Sequence, residues 1–393
     1  MSDLFSNEAL FADNSVIDNT EDTSSGEVIT IPFSPSDISL STPPMNLGDL
    51  IDRIKYGWIN MGTEYQRGAN LWSLTQQSRL IESVLLGLRL PAFYFEEVNK
   101  NDWKIIDGLQ RCSTIKNYCV DGTLALCDLE FLGERFNGKY YNDLAFDTIR
   151  DIRMLPITVN LLNAGTPDRV KYILFKRLNT GGVSLTPQEI RNAMYQGRAM
   201  SVVREMAENE LFLKATDPKM PTKRMQNLDF VSRFIAFYLQ DYRDYTPDLD
   251  SFINKSMELL RDSLSDNQIS KMKEDFSLAM NLAIEVYGND AFRKRESEED
   301  ARRSLNRAYF EVISTVFARL SKQEYSEVIN NKKLLVKNSI RLMNNKVYNR
   351  SFSGGTGRRD NVIRRFSSYE NMLKSTIKGE LIPTAYDYSI ETN

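Results

Sequence analysis

The sequence contains no histidine among its 393 residues. That absence excludes Ser-His-Asp and Cys-His catalysis, HNH nuclease chemistry, metalloprotease helices and His-ligated zinc from this chain. Cysteine is scarce as well: Cys112, Cys119 and Cys127 form no CxxC pair. Neither a disulfide framework nor a four-cysteine zinc site is expected, nor is haem, and the free thiols fit a reducing cytoplasm. No run of ~18 apolar residues is available to span a bilayer, so no membrane association is expected. A basic start followed by an apolar stretch is also missing, which argues against a secretory signal. Base is missing altogether from residues 1–30, which hold seven acids.

What is present is ordinary in amount and uneven in placement. Apolar residues are 41% and charged residues 26%, the composition of a soluble globular chain. At roughly 100–200 residues per domain, the length accommodates two or three cores. The acidic front is opposed by residues 331–378, with twelve Lys and Arg against Asp360 and Glu370. This asymmetry predicts an acidic, disordered tail over 1–27 and a basic working surface near the other end.

Order is expected from Val28–Ile31 onward, with a short helix over Leu47–Ile54 after Pro43-Pro44. Apolar spacing predicts a helix over Leu74–Leu88, ended by Gly87 and Pro91. Strands are predicted over Ala92–Glu97, Trp103–Ile106 and Leu155–Leu162, and a helix over Gln110–Cys119. Asn137-Gly138 predicts a hairpin turn. Two capped helices follow. One starts at Thr166-Pro167-Asp168; the other carries Thr186 with Glu189 three residues on, a capping box, and runs to about Gly197. Beyond residue 200 the pattern is helical, apart from a charged loop or helix end over Gly288–Arg303. The fold class is therefore α+β. A lead-in over 1–45 precedes an N-terminal domain over 46–197 and an all-helical domain with a basic C-terminal region over 198–393.

Four stretches could carry chemistry. Ile105-Ile106-Asp107-Gly108-Leu109-Gln110-Arg111 lies at a strand-to-helix junction. Free N–H groups and the positive end of a helix suit phosphate there. Gly108 permits close approach, Arg111 offers a planar fork, and Ser113 and Thr114 add hydroxyls. Asp107 and Gln110 would equally well form a capping box with no ligand at all. Gln66-Arg67 is a second polar cluster. Arg177 and Asn179, with Arg191 and Asn192, flank the turn between the two capped helices and could reach one pocket. Finally, Phe352–Arg359 is a glycine-rich stretch that resembles a mobile phosphate-gripping loop without the Walker A order. Its flanking Arg358, Arg359, Arg364 and Arg365 suit a DNA backbone.

Taken together, these motifs resemble a known family. Gln66-Arg67, Trp72-Ser73, Gln76–Ser83, Pro91, Asp107–Arg111, Phe175–Gly182 and Leu185–Ala193 follow one another in the order found in the N-terminal domain of GmrSD-type modification-dependent restriction systems. The resemblance implies a ParB/sulfiredoxin-like fold and a nucleotide-binding, often NTP-hydrolysing domain in antiviral or restriction-type defence. It places Asp107, Gly108, Leu109, Gln110 and Arg111 on the family's DGQQR signature, with Leu109 in place of the first Gln and Cys112 in place of the usual following Leu. It implies Asp107, Gln110 and Arg111 as catalytic residues. Gln66, Arg67, Gly108, Ser113, Thr114, Arg177, Asn179, Arg191 and Asn192 would bind nucleotide, with Mg²⁺ brought by its phosphates. The HNH nuclease of such systems would have to come from a separate subunit. A non-catalytic DNA-binding adaptor is the alternative that Leu109 and the basic stretch leave open.

Overall fold

The computed structural model describes residues 16–18, 39–61, 72–100, 102–178, 185–217 and 220–383. The expected tail over 1–15 and 19–27, the Val28–Ile31 run, Gln66, Arg67 and Asn179 lie outside them. The chain folds as two compact units, one over Ile31–Ser184 and one combining Met1–Thr30 with Leu185–Asn393.

The first unit is built on a mixed five-stranded sheet. Its strands are β1 (Leu40–Ser41), β3 (Ile59–Asn60), β4 (Phe93–Asn99), β5 (Asp102–Asp107) and β7 (Val159–Leu162), in the order β1-β7-β4-β5-β3. β4 pairs antiparallel with β5 and parallel with β7, while β3 joins β5 in parallel. A second, two-stranded sheet joins β2 (Met45–Asn46) to β6 (Pro156–Ile157). The single predicted strand over 155–162 is thus two, divided between sheets.

Alternation along β4 and β5 sends Phe93, Phe95, Trp103 and Ile105 to one face. There Phe93 stacks on Phe95, and Phe95 meets Trp103 with ring centres 5.5 Å apart. These rings share a buried core with residues of α1 (Leu47–Lys55), α2 (Leu74–Leu85) and α3 (Leu109–Ile115). Helix starts follow local chemistry. Asn46 with Asp49, and Ser73 with Gln76, form reciprocal capping boxes that satisfy the first N–H groups of α1 and α2. α3 runs on into a π-helical turn over Lys116–Val120.

The predicted hairpin at Asn137-Gly138 does not form. A short helix, α4 (Gly133–Phe136), precedes it, and the turn closes a loop instead. The Gly138 N–H donates to the Leu126 carbonyl, and Asn137 Oδ1 accepts from the Leu129 N–H at 3.2 Å. After α5 (Phe146–Met154), α6 (Asp168–Leu178) packs on the sheet, where Lys171 meets Glu96 of β4 at 2.6 Å.

Among the described residues of the second unit every regular element is a helix, apart from isolated bridges. It contains α7 (Pro187–Met194), α8 (Arg198–Ala207), α9 (Glu210–Thr216), α10 (Gln226–Leu239), α11 (Leu249–Asp262) and α12 (Asp266–Tyr287). These are followed by α13 (Arg307–Ala318), α14 (Lys322–Asn330), α15 (Lys332–Met343), α16 (Lys346–Arg350) and α17 (Arg359–Ile377). The Thr186–Glu189 capping box forms as the spacing predicts, with Pro187 at the first helical position. α10 and α13 are buried along most of their length, and Phe230 of α10 meets Phe310 of α13 edge-on at 5.1 Å. The predicted solvated stretch over 288–303 is only partly so: Ala291, Phe292 and Arg293 are buried. Part of the acidic front is ordered too, since Ile17 is buried in a bridge to Leu305.

Candidate functional site

β5 ends at Asp107 and α3 begins at Leu109, so Gly108 alone makes the corner. Its φ of 102° lies in the region that glycine enters freely. A Cβ at this position would meet Phe93 Cδ1 at 2.7 Å, so the core ring beneath the corner also demands glycine. Gly108, the residue at the cap position, has no side chain with which to cap the first turn of α3. The capping box expected from Asp107 and Gln110 is therefore absent. The Asp107 carboxylate turns instead to Arg111, one helical turn away, at 2.8 Å.

Arg111 is 9% exposed and is held on three sides. One terminal nitrogen donates to the carbonyls of Pro91 and Ala92, just before β4, and the other to Asp107. The guanidinium lies over the Phe93 ring, 4.6 Å from its centre. The fork that the sequence offered to phosphate is thus occupied by the protein itself, and its immediate effect is to fasten the β5–α3 corner to the start of β4.

The other residues of the motif divide similarly. Ser113 and Thr114 are buried, and Thr114 Oγ1 donates back to the Gln110 carbonyl. Their side chains lie beneath the surface of the corner. Leu109 packs against the apolar core. Cys112 is fully enclosed, and desolvation pushes its thiol up to about 12, which removes it as a nucleophile. The corner therefore presents the start of α3 and the part-exposed Asp107. Among the described residues no group of three Cys, Asp or Glu is placed to hold a metal ion.

Arg177 lies on the exposed last turn of α6. Arg191 and Asn192 belong to the other compact unit and are buried there. Arg191 is 1% exposed, donating to Asn254 and Asp250 of α11 and to Gln188. Asn192 accepts from Arg204 of α8. Both are thus engaged by partners within the helical unit.

The basic C-terminal stretch is engaged in the same way. Arg365 is 1% exposed, and it donates to the carbonyls of Ser351 and Thr356 while pairing with Glu311 at 3.3 Å. It cannot reach a DNA phosphate. The glycine-rich loop is pinned by the protein's own side chains. Tyr245 donates to the Gly357 carbonyl, and Asn361 donates to those of Gly354 and Gly355. Arg359 donates to the carbonyls of Tyr245 and Arg243, and Arg364 to Asn361 Oδ1. Arg358 is exposed and paired with Asp360, so Arg358 and Arg359 remain on the surface.

Two carboxylates that the motifs did not flag are built into the first unit. Glu82 of α2 accepts from the backbone N–H groups of Glu130, Phe131 and Leu132. Burial opposes its charge, but these donors together with Arg79 outweigh that and hold the carboxyl below its usual range. Glu96 pairs with Lys171, which also meets Asp168 at 3.3 Å. The Asp168–Lys171 spacing is visible in the sequence; the contact of Lys171 with Glu96 is not.

Residues 47–196 match the family model of the GmrSD restriction endonuclease, N-terminal domain. This segment is similar to a GmrSD N-terminal domain. No curated protein and no solved structure matches the chain. The matched segment takes in β3, β4, β5 and β7 of the five-stranded sheet, the β5–Gly108–α3 corner and α7, the last of which lies past the unit boundary at Ser184.

Proposed function

We propose that the chain is the nucleotide-binding, NTP-hydrolysing component of a restriction-type defence system, acting on DNA together with a separate nuclease or modification subunit. The family of residues 47–196 supports the defence setting. The nucleotide reading rests on one observation, the glycine corner at Gly108 that opens α3 with no capping side chain. Such a start leaves backbone N–H groups and the positive end of the helix for an anion. Asp107 stands beside it, close enough to exchange its partner Arg111 for a metal carried on the phosphates. Gln110, in the first turn, is the residue to orient a water or a terminal phosphate. Arg111 supports the site from behind by fixing the corner.

The test is a panel of ATP, GTP, CTP and UTP, assayed for binding and hydrolysis with and without DNA. One of the four should bind, and Gln110→Ala should slow turnover more than it weakens binding. No binding of any nucleotide by the folded chain would remove the reading.

The commitment of Arg111 to protein partners favours a second reading, a DNA-binding adaptor without turnover. Nucleotide-independent DNA binding by a chain that hydrolyses none of the four nucleotides would establish it.

A further inference from the structure

The loop before α13 carries an edge that is filled by the protein's own N-terminal residues. Leu305, fully buried, forms an antiparallel bridge to Arg293 on one side and a parallel bridge to Ile17 on the other. The second bridge has two good backbone hydrogen bonds. Leu305 N–H donates to the Val16 carbonyl at 2.9 Å, and Asp18 N–H donates to the Leu305 carbonyl at 2.8 Å. Ile17 is 2% exposed. The next side chain is read as well: Asn306 Nδ2 donates to the Asp18 carboxylate at 3.3 Å, and Arg307 donates to the Asp18 carbonyl.

These contacts have the parts of strand-addition recognition: backbone pairing for affinity, a pocket for one side chain, and polar groups for the next. Asn306 is held for this task. Its Oδ1 caps α13 through the Tyr309 N–H, and its Nδ2 also donates to the Phe352 carbonyl. Arg307 is held in turn by Asp229 at 3.4 Å. With the N-terminal segment removed, Leu305 keeps an N–H and a carbonyl with no partner, beside an emptied apolar pocket. Buried backbone groups in that state demand replacement by another extended chain.

We propose that the Leu305–Arg307 edge is a peptide-docking site, and that its ligand is an extended segment of a partner protein in which an aliphatic residue is followed by an acidic one. Val16–Ile17–Asp18 occupies the site in cis and competes with that ligand. Among the described residues, Val16, Ile17 and Asp18 hold this edge, with two backbone hydrogen bonds to Leu305. Tethering gives it an effective concentration on the order of millimolar, which sets the threshold a partner must exceed.

The experiment uses a labelled peptide spanning Phe11–Asp22 and three proteins: the parent chain, a chain lacking residues 1–18, and full-length Ile17→Asp. The truncated chain and the Ile17→Asp chain should bind the peptide saturably, at least about tenfold more tightly than the parent, whose site is occupied by a tethered competitor. A peptide carrying Ile17→Asp should not bind either. Equal binding by parent and truncated chain, or equal binding of the two peptides, overturns the proposal. Absence of peptide binding by a truncated chain with unchanged circular dichroism also overturns it. If the truncated chain and the Ile17→Asp chain both fail to fold, the segment is a fixed part of the core and the proposal falls. Concentration-dependent dimerisation of the parent that Ile17→Asp abolishes would replace the foreign partner with a second copy of the chain.

Discussion

Removing the Arg111 guanidinium strips partners from Asp107 and from the Pro91 and Ala92 carbonyls together. Arg111→Ala should therefore lower stability by about 1–3 kcal/mol, the cost of leaving buried polar groups unmatched, read as a shift in the urea midpoint. An unchanged midpoint would mean that the guanidinium does not brace the corner. Glu82 gives a pH signature in the first unit. Its folded carboxyl lies below the usual value, so its contribution is complete above the ordinary carboxylate range of ~4.3 and is lost as pH falls through the lower folded value. Glu82→Gln should weaken the fold at neutral pH and flatten the acid side of a stability–pH curve. Sequence reasoning located the Gly108 corner and the residues on it, yet misjudged what Asp107 and Arg111 touch. A local rule pairs a carboxylate with the nearest free N–H. Here a guanidinium one turn on, already drawn to carbonyls near residue 91, offered the stronger charge-assisted bond.

At the scale of elements, a buried relay of ions joins the helices of the second unit. Asp250 of α11 holds Arg191 of α7, and Asp229 of α10 lies within 3.7 Å of Arg191 and 2.9 Å of Arg233. Arg233 passes to Glu311 of α13, and Glu311 to Arg365 of α17. Breaking one buried pair strands its partner without water, so Arg191→Ala should cost about 3–5 kcal/mol in denaturant unfolding. Burial opposes the charge of Asp229, but Arg233, Arg191 and Arg307 outweigh it and lower its pKa. Its stabilisation is thus present above the unfolded value of ~3.9 and is lost as pH drops below that through the folded value. In Asp229→Asn the acid limb below pH ~4 should become shallower, while stability at neutral pH falls. An acid limb identical to the parent's would show that Asp229 is not the group titrating. Of these contacts only Asp229–Arg233, four residues apart on α10, has a spacing legible in the sequence. In sequence Arg191 reads as a nucleotide contact and Arg365 as a DNA contact, while Arg233 and Glu311 draw no reading, and only the packing of five helices turns all four inward.

Over the whole molecule, the division into a mixed sheet followed by helices was readable because β4, β5 and the long apolar stripes past residue 200 are strong local patterns. The two-residue strands β1, β2 and β3 were not. Each gains its identity from a partner far along the chain, as Leu40 does from Leu162. The charge map misled in a related way: counting Lys and Arg over 331–378 could not separate exposed Arg358 from enclosed Arg365. The two should part company in experiment. Reversing Arg358 and Arg359 to Glu should leave a folded protein with weaker DNA binding, its log–log salt slope smaller by about 0.9 for each phosphate no longer neutralised. Arg365→Glu should unfold the second unit through repulsion with Glu311. A folded Arg365→Glu variant with intact thermal stability would contradict the buried pairing.

The bridge between Ile17 and Leu305 also sets a timetable. Asp18 and the Asn306 that grips it are separated by 288 positions. At translation rates of roughly 5–20 residues per second, the acidic segment emerges about 15–60 seconds before its receptor exists. Ile17 and Asp18 are thus made long before the Leu305–Arg307 edge that receives them, and they reach their place only once it exists.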